Sequence, residues 1–162
     1  MLTLSSNTEP PPAIYSSTIV LHQTLCYNIN RHLTGGYYMI LEFKIETQLI
    51  NWNEIAKMCW SSDKNKYGRT KKRQQLFIKH EINNQIEIKD YFGDNNTSVS
   101  YDWHTSTHLD LGNMTAGEKF LADSINELGL WDDDRYIQEI KHKRIEDAEN
   151  YVVVRIKGAK KR

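Results

Sequence analysis

Two stretches of this 162-residue chain carry charge of opposite sign, and together they could do phosphodiester chemistry. The window from Lys64 to Arg73 holds Lys64, Lys66, Arg69, Lys71, Lys72 and Arg73, with no acid inside it. Further along, Asp110, Glu118, Asp123, Glu127, Asp132, Asp133 and Asp134 face a single lysine, Lys119. Cationic side chains neutralise phosphates and hold a nucleic-acid backbone in place. Carboxylates collect Mg²⁺, an ion that takes oxygen ligands and keeps several waters. Such an ion polarises a phosphodiester and supplies or orients a hydroxide. Each half alone also has a plain reading: a basic run as a solvated helix face, an acidic run as a turn or cap. Charge by itself leaves the function open.

Those side chains need a scaffold. Met39 to Thr47 alternates Ile40, Glu42, Lys44 and Glu46 with Leu41, Phe43 and Ile45, the period of a strand with one buried face. Residues 51–58 suit a short helix. Arg69 to Asn84 reads as an amphipathic helix with Leu76, Phe77, His80 and Ile82 on its apolar stripe. Val99, Tyr101 and Trp103 line one side of a second strand. Asn113 to Leu128 is the strongest helix, with Asn113 as N-cap and Gly129 as the stop. Met114, Phe120, Leu121, Ile125 and Leu128 form its apolar stripe. Strands at about 136–144 and 150–157 follow. This order predicts an α+β domain with helices packed on a four-stranded mixed or antiparallel sheet.

Residues 1–38 read differently. Pro10, Pro11 and Pro12 stand in a row, and Glu9 and Arg31 are the only charged side chains. Ile19 to Leu25 could make a short strand. Gly35-Gly36 followed by two tyrosines and Met39 would match a bacterial ribosome-binding sequence and its spacer. The expectation is therefore an extension outside the domain, disordered or lying upstream of a true start at Met39. The domain proper would span 39–158, and residues 159–162 would be a basic tail.

Composition narrows the class. Hydrophobic residues make up 39% and charged residues 26%, the balance of a globular domain. No apolar run approaches the roughly 20 residues of a membrane span. The formal net charge is zero, so a polyanion would have to be met by local rather than global charge. Cys26 and Cys59 form neither a metal spacing nor a disulfide framework, which suits a cytoplasmic protein. His104 and His108 are four apart, but on strand and loop rather than on one helix face, which argues against structural zinc.

The stretch His108-Leu109-Asp110-Leu111-Gly112-Asn113-Met114-Thr115-Ala116-Gly117-Glu118-Lys119-Phe120 resembles the signature of RusA-like Holliday junction resolvases. That signature runs Arg-Asp-x-Asp-Asn, then Lys and an apolar helix, then Gly and a turn ending Asp-Asp. In a phage and prophage subgroup of Gram-positive bacteria its middle reads Asp-Asn-Ile-Ala-Ala-Gly-Lys-Lys-Phe. Asn113, Ala116, Gly117, Lys119 and Phe120 fall in step, followed by Asp123, Leu128-Gly129 and Asp133-Asp134. Asn53-Glu54-Ile55, Lys66-Tyr67-Gly68 and Lys71-Lys72 resemble upstream elements of the subgroup.

The resemblance covers 39–158. It implies a homodimer that cleaves branched DNA, notably four-way junctions, with Mg²⁺ as cofactor in recombination and repair. It makes Asp110 and Asp134 metal ligands helped by Asp133, places Lys119 at the scissile phosphate, and gives the DNA arms to Lys64, Lys66, Arg69, Lys71, Lys72 and Arg73. The second aspartate of the signature is Gly112 here, which weakens the expected Mg²⁺ site and leaves a binding-only protein of the same fold as the alternative. An unrelated α+β interaction module is the reading from another class.

Overall fold

The computed structural model describes residues 28–31, 37–47, 49–87 and 91–159. The sheet consists of β1 (Asn28–Arg31), β2 (Tyr37–Ile45), β3 (Thr97–Thr105), β4 (Ile137–Glu146) and β5 (Tyr151–Ala159), in the order β1-β2-β5-β3-β4. β5 runs antiparallel to both neighbours, with Phe43 and Tyr101 both registered on Val154. β3 and β4 are parallel, Tyr101 opposite His142, so the chain must cross over between them. That crossover carries the short helix α3 (Leu111–Met114), then α4 (Ala116–Glu127) and a 3-10 turn at Asp134–Tyr136. α1 (Trp52–Cys59) and α2 (Lys66–Gln85) link β2 to β3.

The four expected strands are all present and the sheet is mixed. β1 adds a fifth at the edge, inside the segment expected to stand apart, by antiparallel pairing of Asn28 with Met39. The strand considered at Ile19–Leu25 lies outside the described residues, as do Cys26 and residues 160–162. Among the described residues no helix is long and apolar enough to cross a membrane.

Alternation decides which face is buried. Leu41, Phe43 and Ile45 of β2, Val99, Tyr101 and Trp103 of β3, and Val152, Val154 and Ile156 of β5 all point under the helices. The opposite face is polar, and Arg155 bridges Glu42 and Asp102 across three strands there.

Two helix readings need correction. α2 buries Ile78 and Ile82, whereas Leu76 and Phe77 face outward. Asn113 is not a cap: the Asp110 side chain accepts from the Asn113 backbone N–H and caps α3, and α4 begins after Thr115. The stop holds, with Gly129 at φ 74°, a conformation that favours glycine.

α4 sits on the sheet through Phe120, Leu121 and Ile125, as its apolar spacing requires, with Met114 of α3 buried just before it. Its closest approach is at Gly117. A Cβ there would lie 2.7 Å from Leu49 Cβ and 3.2 Å from Trp103 Cη2. Alanine in place of glycine favours a helix by about 1 kcal/mol. Here the atom it meets is rooted on the backbone and cannot swing away, and overpacking costs about 1–3 kcal/mol. Gly117→Ala should therefore be destabilising, with thermal melting lowered by several degrees; an unchanged or raised melting temperature would disprove this close packing.

Candidate functional site

The acidic helix and the basic helix meet. Asp123, half-way along α4, accepts from Lys119 on its own helix at 2.8 Å and from Lys71 on α2 at 2.8 Å, with Gln75 of α2 at 3.3 Å. One turn further, Lys79 of α2 reaches Glu127 at 2.6 Å. Partial burial pushes the Asp123 pKa up, but the two ammonium groups outweigh it, so the carboxyl sits below its ordinary value. Lys119 is raised in turn, first by Asp123 and also by Asp134. Lys71, Lys72, Lys79 and Glu127 line a shallow groove of about 300 Å³ along this seam.

Lys119 also approaches Asp134 at 3.5 Å. Asp134 opens the 3-10 turn that leads into β4, and the Asp133 side chain caps that turn by accepting from the Arg135 backbone N–H at 2.9 Å. Lys119, Asp133 and Asp134 are thus gathered at one place, fifteen residues apart along the chain at the widest.

Asp110 is not with them. It lies past the carboxyl end of β3, whereas Asp134 precedes the amino end of β4, and the two strands are parallel. The loop that carries Asp110 is fastened by Arg144 of β4, which donates to the Leu109 and Thr107 carbonyls at 3.0 and 2.9 Å. Both Asp110 oxygens are engaged by Asn113, one by its backbone N–H at 2.9 Å and one by its side-chain amide at 2.6 Å. These bonds, the backbone one first, hold the exposed Asp110 carboxyl below its ordinary pKa. Among the described residues no group of three His, Cys, Asp or Glu side chains could hold a metal ion. Of the carboxylates assigned to Mg²⁺ by resemblance, Asp133 and Asp134 lie together and Asp110 lies apart from them.

The basic window divides. Arg69 is held by Asp63 and Lys71 by Asp123. Lys64, Lys66, Lys72 and Arg73 are exposed and have no ion-pair partner among the described residues. These four form the cationic surface available to a polyanion.

Sequence reasoning missed three polar links. The first is the Asp123 clamp between helices; the i,i+4 spacing of Lys119 and Asp123 hinted at its local half. The second is a chain from Trp103 Nε1 to His142 Nδ1 at 3.1 Å and from His142 Nε2 to Glu118 at 3.0 Å. An indole only donates, so Nδ1 accepts and the proton rests on Nε2. The third involves His104. It stacks on Tyr151 and bonds Asp147 at 2.9 Å, while Tyr151 Oη donates to the same carboxyl. His104 and then Tyr151 hold the Asp147 pKa down at about 2. His108 is exposed.

Comparisons with known proteins add little. No protein-family model matches the chain, and no curated protein matches it. Among solved structures it is similar to a chain of a HypE-HypF complex, at 9% identity and a TM-score of 0.33. That likeness covers 79% of this chain and 34% of the other, so the chain spans about a third of its neighbour. A similarity at this level bears on neither fold nor function.

The clamp has a pH signature. A carboxyl whose folded pKa is depressed contributes stability above its unfolded value near 3.9, and loses it as pH falls through the lower folded value. Asp123→Asn should cost about 0.5–1 kcal/mol at pH 7, the scale of partly exposed ion pairs. The difference from the natural protein should shrink as the carboxyl protonates below about pH 4. Urea titrations at pH 7 and pH 3 measure it; an equal deficit at both would show that the clamp is not ionic.

Proposed function

We propose that this chain is a branched-DNA-binding protein of the RusA-like type whose Mg²⁺-dependent cleavage is impaired. The observation that carries the reading is the set of four exposed cations, Lys64, Lys66, Lys72 and Arg73, left without acidic partners at the start of α2. By contrast Lys71, Lys79 and Lys119 are each held by a carboxylate. Cations gathered within the ten residues from Lys64 to Arg73 suit a backbone of phosphates, each contact releasing condensed counterions.

The contact between Lys119 and Asp134 supports the RusA-like assignment, because the resemblance gives these two residues a common site. A two-fold homodimer would set two such faces against opposed strands of a four-way junction. The impairment rests on Asp110 and Gly112. Asp110 accepts from the Asn113 backbone and side-chain amide and stands apart from Lys119 and Asp134, and position 112 has no carboxylate to add.

Position 112 nevertheless accepts one. A Cβ built there meets only Asp110 Oδ1, at 3.2 Å, the oxygen that caps α3, so that side chain must give by a few tenths of an ångström. Gly112→Asp would therefore place a second carboxylate beside the first. Mg²⁺ is commonly held by one or two carboxylates together with substrate phosphates.

Two measurements test the proposal. Lys72→Ala combined with Arg73→Ala should weaken junction binding at every sequence. The slope of log affinity against log salt should also flatten by about 1.8, two contacts at ~0.9 each. An unchanged slope would remove these residues from the interface. A labelled four-way junction with Mg²⁺ should be bound but barely nicked by the natural protein, with nicking raised in Gly112→Asp. Efficient symmetric nicks by the natural protein would instead make it an active resolvase.

A further inference from the structure

Trp60 is 90% exposed, far more than any other large apolar side chain described. Burial of an indole is among the largest apolar gains a fold can make, and here it is forgone. The residue is the C-cap of α1, where its backbone N–H bonds the Ala56 carbonyl, so the side chain is held outward on fixed backbone.

The turn beyond it is also fixed. The Ser61 N–H bonds the Met58 carbonyl, the Asp63 N–H bonds Ser61 Oγ at 3.3 Å, and the Asn65 N–H bonds Asp63 Oδ1 at 3.1 Å. Trp60 therefore stands on a rigid corner and not on a loose loop. The charge around that corner is one-sided. Lys57 is exposed on α1, and Lys64 and Lys66 lie within six residues of Trp60 on its other side. The nearby acids are occupied, Asp63 by Arg69 and Glu54 by the α1 capping box.

An indole meant for a protein partner usually lies at the centre of an apolar patch that excludes water. Trp52 and Ala56 are also exposed behind it on α1, but Trp60 ends that face and is followed by the polar Ser61, Ser62, Asp63 and Lys64, so the ring stands at an edge and not at the centre of a patch. A flat π face with exposed lysines a few residues along the chain is instead the arrangement that holds unpaired bases. The ring stacks on a base, whatever its identity, and the cations take the flanking phosphates.

We propose that Trp60 is a stacking platform for an unpaired DNA base, with Lys64 and Lys66 on the adjacent phosphates. This rests on the DNA-binding reading above and narrows its substrate to branched DNA that exposes unpaired nucleotides. The indole adds affinity where bases are free and adds nothing on a closed duplex.

The test compares the natural protein, Trp60→Ala and Trp60→Phe by fluorescence anisotropy at one salt concentration. The probes are a labelled oligothymidylate, a fully paired duplex of equal length, and a four-way junction. Thermal melting of each variant checks that the fold is intact, as the exposure of Trp60 leads us to expect. Trp60→Ala should weaken single-strand binding about tenfold, within the range for loss of one stacked base. Duplex binding should be unchanged, and Trp60→Phe should retain most of the single-strand affinity. Equal losses on single strand and duplex, or no loss on either, would overturn the proposal; the second result would leave the indole to a protein partner. Natural protein that binds the junction and duplex but not the single strand would also overturn it, while the broader reading stands. Failure to bind any of the three DNAs at low salt would overturn both.

Discussion

The seat of α4 on β3 is the contact on which the rest of the arrangement depends. Gly117 lets the helix backbone approach Leu49 and the Trp103 ring closely enough for Phe120, Leu121 and Ile125 to enter the core. Once that distance is set, Glu118 falls within reach of His142, and the strand pair beneath the helix is tied to it by a polar chain as well as by packing. The outward side of the same helix then presents Lys119 and Asp123 to α2 and to the turn before β4. One close approach thus fixes the geometry of both charged helices.

The two helices do not simply oppose their charges. Asp123 and Glu127 take up Lys71 and Lys79, which draws α2 onto α4 and removes those lysines from the surface field. At the amino-terminal end of α2 and in the loop before it, Lys64, Lys66, Lys72 and Arg73 make no ion pair among the described residues. The molecule has no net charge, so a polyanion would be met by local clusters such as this one. The Asp110 loop, tied to β4 by Arg144, belongs to a different part of the surface, and its carboxylate already serves the backbone.

The parts legible in the sequence were those governed by near neighbours. Alternation from Met39 to Ile45 gave the strand and its buried face, and Gly129 marked the end of α4 through its own backbone preference. The α2 stripe was misjudged because Leu76, Phe77 and His80 fit a helical period as well as Ile78 and Ile82 do. Only the position of α4 and the sheet decides which stripe turns inward. Asp110 and Asn113 could each cap a helix, and the chain breaks at Thr115 to use the first. The lysine–aspartate clamp joins residues 52 apart, Lys71 and Asp123, and the His142–Glu118 link crosses from helix to strand. Local pattern carries no record of either.

The place of β5 has a consequence for how the molecule is made. It lies between β2 and β3, yet it follows every other element in the chain. Phe43 finds its cross-strand neighbour Val154 only after more than a hundred intervening residues have been synthesised. Until then β2 and β3 have no strand between them, and their apolar faces and open edges are exposed together. Loop closure over such a span is entropically costly and slows folding. The nascent chain therefore cannot complete its sheet from the amino terminus onward. It must remain partly open on the ribosome until Tyr151–Ala159 emerges, and it is in this interval, rather than in the finished fold, that it is most exposed to aggregation and to proteases.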